Sequence, residues 1–167
     1  MFEMIALTAF AGLVVFAACS DVSRLIIPNW VSIALTAIFP VAALIAGAPL
    51  LNVGLHVLFG FGVLAVGFVL FQFNVIGGGD AKLLAAVSVW TGAAAFAPFI
   101  LWTAIAGGVM ALLLLTARQL IPAGAVPAPI DHLLKKQNGI PYGAAILVGA
   151  LMAIPSLPYL SSPLTLS

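Results

Sequence analysis

Apolar stretches of about 20 residues run through most of this chain, which is the length a helix needs to cross a bilayer. Of the 167 residues, 65% are hydrophobic and 5% are charged, whereas a soluble domain has about 25% charged residues. Five Lys and Arg and four Asp and Glu cannot cover a water-soluble fold of this size. We therefore expect a lipid bilayer around much of the surface. The net charge of +1 predicts no nucleic-acid partner.

Backbone groups in lipid must form their hydrogen bonds internally, and no alternating strands of a barrel are present, so helices are predicted. The stretch from Lys82 to Ala117 is too long for one span, and Thr91-Gly92 and Pro98 can break it. We expect an all-α, polytopic bundle of six transmembrane helices that forms one domain over residues 1–167. The predicted spans are Phe2 to Ser20, Pro28 to Ala48, Leu51 to Phe73, Ala81 to Gly92, Ala95 to Ala117 and Tyr142 to Leu157.

The basic residues all fall on one side of this bundle, in or beside the connections after the first, third and fifth helices. By the positive-inside rule that side is cytoplasmic, which places both termini outside. A five-span alternative, with Lys82 to Ala117 as one helix, would move the last three cations outside. The loop at about residues 118–139 is expected to rest on anionic headgroups or, alternatively, to guide a substrate. The basic residues are Arg24, Lys82, Arg118, Lys135 and Lys136.

Two aspartates are expected at the cytoplasmic face. Asp21 ends the first helix and Asp80 begins the fourth. Helices two and three cross the membrane and return, so both carboxyl groups lie at one depth and packing can bring them together. A carboxylate costs about 2.5 to 3.5 kcal/mol at the centre of a membrane helix and less near the interface, so such residues are candidates for function.

Neighbouring carboxyls can share a proton and hold a water between them, with one acting as general base and the other as general acid. A helix N-terminus favours an anion and a C-terminus disfavours one, which predicts Asp80 as base and Asp21 as acid. The pair titrates jointly. Asp131, in the proline-rich loop, is an alternative member of the pair. With one cysteine, Cys19, no cysteine-based zinc site is expected, and no metal or organic cofactor is predicted.

Several further residues are predicted to support these carboxyls or bind substrate. Gly77, Gly78 and Gly79 allow a peptide to approach bare backbone and pair with it as a strand; alternatively they form a turn with Asp80 as helix N-cap. Lys82 can bind a peptide carbonyl or, alternatively, anchor the protein at the cytoplasmic membrane face. The amide of Asn29 can orient a carboxylate. His56 is expected to be a solitary polar residue near the outer membrane face.

Three segments together resemble the motifs of the type IV prepilin peptidase family. Its first aspartate motif, in which Ile-Pro-Asn follows the Asp, resembles residues 21–29 (DVSRLIIPN). Its Gly-x-Gly-Asp motif, continued by a Lys, is similar to residues 77–83 (GGGDAKL). A late element with Pro and Tyr-Gly is similar to residues 140–143 (IPYG). The three segments stand in the family order and span nearly the whole chain.

The resemblance implies an aspartic endopeptidase of the bacterial inner membrane that removes the leader of a prepilin, with Asp21 and Asp80 as the catalytic pair. Long family members carry a Cys-x-x-Cys insert and N-methylate the new pilin terminus. This chain lacks the insert, so methyltransferase activity is not expected, and it looks like the short form of tight-adherence (Flp) pilus systems.

Three alternatives stay open at this point. Archaeal preflagellin peptidases are also short and similar. A small proton-coupled carrier could use the two aspartates as a relay, although carriers more often place charges near the midplane of an inverted repeat. An assembly scaffold without catalysis would use the glycines as a turn only. The sequence leaves the oligomeric state open.

Overall fold

The computed structural model describes residues 2–121, 133–135 and 138–158. All regular structure in these ranges is helical, which confirms the predicted all-α class. Asp131 and Lys136, named above, lie outside them. The helices are α1 (Phe2–Arg24), α2 (Asn29–Ile45), α3 (Leu50–Gln72), α4 (Gly78–Leu120) and α5 (Tyr142–Ala153), and a 3₁₀ turn at Ile154–Ser156 follows α5.

The long helix α4 is broken at Gly92, whose φ of 55° and ψ of −169° are not helical. A positive φ is readily adopted only by glycine. The break lies at the Thr91-Gly92 step where the sequence predicted one. We call residues 78–91 α4a and residues 93–120 α4b.

Small residues set how α4a packs on α3. The two helices are antiparallel, since Gly67 of α3 contacts Ala81 and Gly60 contacts Val89, while His56 lies against Gly92. The backbones approach closely because each of these contacts involves a glycine. The start of α4a is thus beside the end of α3.

α4b packs on α5 in the same antiparallel manner. A Cβ on Gly107 would lie 3.0 Å from the ring of Tyr142, and Gly149 of α5 contacts Thr103. The start of α5 is therefore level with Gly107, and α4b continues for 13 more residues to Leu120. α4 as a whole joins α3 on one side of the bundle to α5 on the other.

Three helices are long and apolar enough to cross a membrane: α1, α3 and α4. α2 and the segment Tyr142–Ser156 are shorter apolar helices. Much of the apolar surface is exposed, with Leu50, Leu58 and Leu112 each at least 67% accessible. A surface of this kind requires lipid, so the chain is a membrane protein.

Two predicted boundaries need correction where polar residues continue a helix. α1 extends past Ser20 to Arg24, and it ends where Leu25 adopts a φ of 54° and donates to the Asp21 carbonyl at 2.7 Å. α4 begins at Gly78 rather than at Ala81. Asp21 and Asp80 are consequently part of regular helices, where the backbone fixes their positions.

Candidate active site

Asp21 lies in the last turn of α1 and is buried, with 6% of its surface exposed. Its Oδ2 accepts a hydrogen bond of 2.7 Å from the backbone N–H of Gly143. Gly143 is the second residue of α5, and the first N–H groups of a helix have no partner within that helix. The start of α5 therefore supplies a fixed donor to a carboxyl group 122 residues away.

No side chain fits at position 143. A Cβ there would lie 2.9 Å from both Cβ and Oδ2 of Asp21. The close approach of α5 to α1 thus depends on glycine. Our sequence reasoning gave Gly143 no role, although it falls in the Ile-Pro-Tyr-Gly element at residues 140–143 that resembled a family motif.

Asp80 is the third residue of α4a and is half-buried. Its carboxyl group turns back over the residue that precedes the helix, because a Cβ on Gly77 would lie 2.7 Å from Asp80 Oδ2. Gly77 is the N-cap, with no side-chain capping bond. Asp80 is therefore not the N-cap, as one interpretation of the sequence had it; its carboxyl group instead accepts a hydrogen bond from the backbone N–H of Gly77.

The two carboxyl groups lie close enough for the charge of Asp21 to influence Asp80. The turn between α1 and α2 holds them together. Ser20 Oγ donates to the Ile26 carbonyl at 2.7 Å within this turn, and Ile27 packs on Gly79, where a Cβ would be 3.2 Å away. The adjacency expected from equal membrane depth is therefore present.

The glycine run before Asp80 does not use the left-handed conformations open to glycine. Among the described glycines, only Gly47 and Gly92 have positive φ. The run instead allows close packing by the chain itself, since Phe71 lies 3.4 Å from a Cβ built on Gly78. Its predicted contact with substrate backbone stays a prediction.

Lys82 and Asn29, the two predicted supporting residues, contact each other. Lys82 Nζ donates to Asn29 Oδ1 at 2.9 Å, and both side chains are exposed. The Asn29 amide oxygen is thus directed to the lysine rather than to a carboxyl group. This pair joins the start of α2 to α4a beside the two aspartates.

Arg118, near the end of α4b, holds the chain that leads into α5. Its Nε donates to the Leu133 carbonyl at 3.0 Å, and its Nη2 donates to those of Asn138 and Gly139 at 3.0 and 3.1 Å. A guanidinium has five donors in fixed geometry and suits such a cluster. Arg118 therefore fixes where α5, with its Gly143 donor, begins.

Chemically, the site consists of two neighbouring carboxyl groups, each with a backbone N–H donor, Gly143 for Asp21 and Gly77 for Asp80. Such a pair can share a proton and bind a water. No three of the described His, Cys, Asp and Glu side chains are grouped closely enough to hold a metal ion.

Comparison with known proteins bears on this site. The family model described as the type IV leader peptidase family matches residues 8–112. The match covers more than half of the chain, includes Asp21 and Asp80, and ends before α5. Comparisons with curated proteins and with solved structures gave no match. The chain belongs to the type IV leader peptidase family, which confirms the resemblance seen in the sequence and makes it a membrane peptidase.

Proposed function

We propose that this protein is an aspartic endopeptidase that removes the leader peptide of type IV, Flp-like prepilins at the cytoplasmic face of the bacterial inner membrane. The observation that carries the proposal is the adjacency of Asp21 and Asp80 at one end of the bundle. Both belong to helices, and each lies against a glycine. Membership of the leader peptidase family supports the substrate class.

Hydrolysis requires a proton acceptor and a proton donor on opposite sides of one water. The ionised carboxylate takes a proton from the water, whose oxygen forms a bond to the scissile carbonyl carbon. The protonated carboxyl donates to the carbonyl oxygen, which gives a neutral tetrahedral diol. When the C–N bond breaks, the carboxyl group that took the water proton gives it to the nitrogen. The other carboxylate takes a proton from one diol hydroxyl as the new carboxyl group forms, and the amine leaves as the new N-terminus of the pilin.

The helix dipoles of α1 and α4a predict Asp80 as base and Asp21 as acid. The donor that the N-terminus of α5 directs at Asp21 favours the opposite assignment, in which Asp21 is the ionised base. The Gly143 N–H fixes one oxygen of Asp21, and in the proposed reaction the other oxygen contacts the water or the substrate. We regard the pair as one unit that titrates jointly.

In the proposed topology, six spans place both termini outside and the aspartates at the cytoplasmic end. The break at Gly92 supports this count, because it divides a helix of 43 residues into two segments. Arg24, Lys82 and Arg118 then lie on the same side as the site, as the positive-inside rule requires. Without a Cys-x-x-Cys insert, we propose cleavage without N-methylation.

The test is reconstitution of the purified protein with a candidate Flp-like prepilin in liposomes. Asp21→Asn and Asp80→Asn keep the shape of the side chain and remove the acid or the base. Each should therefore lower the cleavage rate by about 10²-fold to 10⁴-fold. Thermal unfolding controls for folding. No cleavage by wild type, or full-rate cleavage by either variant, would refute the proposal, and proton flux without cleavage would favour a carrier.

A further inference from the structure

A groove of about 580 Å³ opens between α2 and α3. Both helices pack on α4 and touch each other only slightly, so α4a forms the floor between them. Ala85, Ala86 and Val89 lie on this floor, and Ile33 and Phe61 on the walls. Small floor residues allow a further helix to approach α4a closely.

One end of the groove adjoins the two aspartates. Lys82, which lies two residues after Asp80, and Asn29 line that end. The lining of α2 extends from Asn29 to Ala37, a distance of about 12 Å at 1.5 Å per residue. The groove therefore leads from the candidate active site about two helical turns into the apolar part of the bundle.

The polar groups of the groove lie near the aspartates. Ser32 is 8% exposed, and its Oγ has no hydrogen-bond partner among the described residues. A buried hydroxyl without a partner costs about 1 to 3 kcal/mol, so an occupant that bonds to it is favoured. Lys82 Nζ uses one of its three donors on Asn29 and has others to offer.

A peptide can form hydrogen bonds with the polar groups at the aspartate end of the groove, whereas a lipid tail cannot. Where a chain changes from an extended to a helical conformation, the last extended carbonyls and the first N–H groups of the helix have no partners. Lys82 can donate to such a carbonyl, and Ser32 Oγ can accept from such an N–H. Further along, the lining is apolar apart from Thr36, whose hydroxyl already donates to the Ser32 carbonyl at 2.9 Å.

We propose that this groove binds two helical turns of an apolar substrate segment that adjoins the scissile bond. The proposal rests on the proposed function and adds the surface that selects the substrate. The proposal requires the substrate to change from a helical to an extended conformation at the level of Ser32 and Lys82. The extended part of the substrate then reaches the aspartates in a form suited to cleavage.

A bulky substitution tests the proposal by filling the groove. Ala37 is exposed and lines the groove, so Ala37→Trp adds an indole there without a buried clash. We expect KM for a candidate prepilin in liposomes to rise about ten-fold, which corresponds to about 1.4 kcal/mol of lost binding, with little change in kcat. Val41→Trp is the matched control, because Val41 is exposed on α2 outside the groove.

Photo-crosslinking keeps the test independent of catalysis and of effects on folding. Benzoylphenylalanine in place of Ile33, in the Asp80→Asn background, should capture the prepilin, whereas the same probe at Val41 should not. Lipid adducts alone, equal capture from both positions, or an unchanged KM in Ala37→Trp would overturn the groove proposal while leaving cleavage by wild type intact. If wild type cleaves nothing, it is the proposed function that fails.

Discussion

The two ends of α4a differ in the residues that pack against them. At the end that carries Asp80, the contacts involve glycines, a backbone donor and exposed polar side chains. At the Gly92 end, they involve large rings. Trp90 is fully buried, its Nε1 donates to the Leu35 carbonyl at 2.9 Å, and its ring lies 4.7 Å from that of Phe10 and 5.7 Å from that of Phe39.

His56 completes this aromatic cluster, which we define as Phe10, Phe39, His56 and Trp90. Its ring stacks on Phe39 at 5.1 Å, its Nδ1 is hydrogen-bonded to the Val89 carbonyl at 2.9 Å, and it lies against Gly92. The expectation that His56 is a solitary polar residue is therefore wrong. The cluster ties α1, α2 and α3 to α4a.

The difference indicates a division between stability and function along one helix. Large side chains fix the bundle at the Gly92 end. Glycines and backbone groups shape the aspartate end, where a substrate must reach the carboxyl groups. Substitutions at the two ends should consequently be separable by assay.

The largest effect is expected from Gly143→Ala. The added Cβ would lie 2.9 Å from Asp21, so the carboxyl group must shift, and a displacement of about 1 Å can lower the rate about 10²-fold. We expect kcat per folded molecule to fall by about that factor. The thermal unfolding midpoint should also fall, because the close approach of α5 to α1 depends on glycine, but less than in Gly92→Ala.

Gly108→Ala is the matched control, since a Cβ there has no neighbour within 4 Å. Its kcat should equal that of wild type. Equal rates in Gly143→Ala and Gly108→Ala would show that the Gly143 contact does not position Asp21.

Gly92→Ala should have the opposite signature. Its backbone has a φ of 55° and its Cβ would collide with the His56 ring, which we expect to lower the free energy of unfolding by about 2 kcal/mol. Activity per folded molecule should change little. Denaturation followed by tryptophan fluorescence measures the loss.

A double variant sharpens this result. Adding His56→Ala removes the collision but leaves the strained backbone, so the two losses should be less than additive. Gly54→Ala, with open space around it, controls for added helix propensity. Full additivity would contradict direct contact between positions 56 and 92.

The smallest effect is expected from Asn29→Ala, which removes the acceptor of Lys82. Loss of one exposed hydrogen bond of about 1 kcal/mol should lower kcat/KM about five-fold without altering stability. Ser23→Ala, which removes an exposed hydroxyl that donates to the Cys19 carbonyl within α1, should leave kcat/KM unchanged. A loss of 10²-fold in Asn29→Ala would instead place Asn29 in direct contact with the reacting groups.

The sequence was sufficient for those parts of the fold that depend on helix length and local chemistry. Apolar length predicted the helices, and Thr91-Gly92 predicted the break, because glycine tolerates the backbone angles that a break needs. The depth argument predicted that Asp21 and Asp80 come together. Each of these inferences uses only one segment or the order of segments.

Contacts between segments that are distant in the chain could not be predicted from the sequence. The bond from Gly143 to Asp21 joins residues 122 apart, and no periodicity relates the start of α5 to the end of α1. His56 was misjudged for the same reason, since its partners Val89 and Phe39 belong to other helices. The family motif at residues 140–143 was the signal that pointed to Gly143, but it carried no geometry.

Arg118 has a consequence for how this chain tolerates insertions. By binding the carbonyls of Leu133, Asn138 and Gly139, it ties the end of α4b to the residues that enter α5. The two ends of the segment between Arg118 and Leu133 are thus held together by these bonds. In general, each doubling of the length of a flexible loop costs only about 0.6 kcal/mol more in closure entropy. An epitope tag or a small reporter domain inserted near residue 126 should therefore leave the Gly143 donor in register with Asp21.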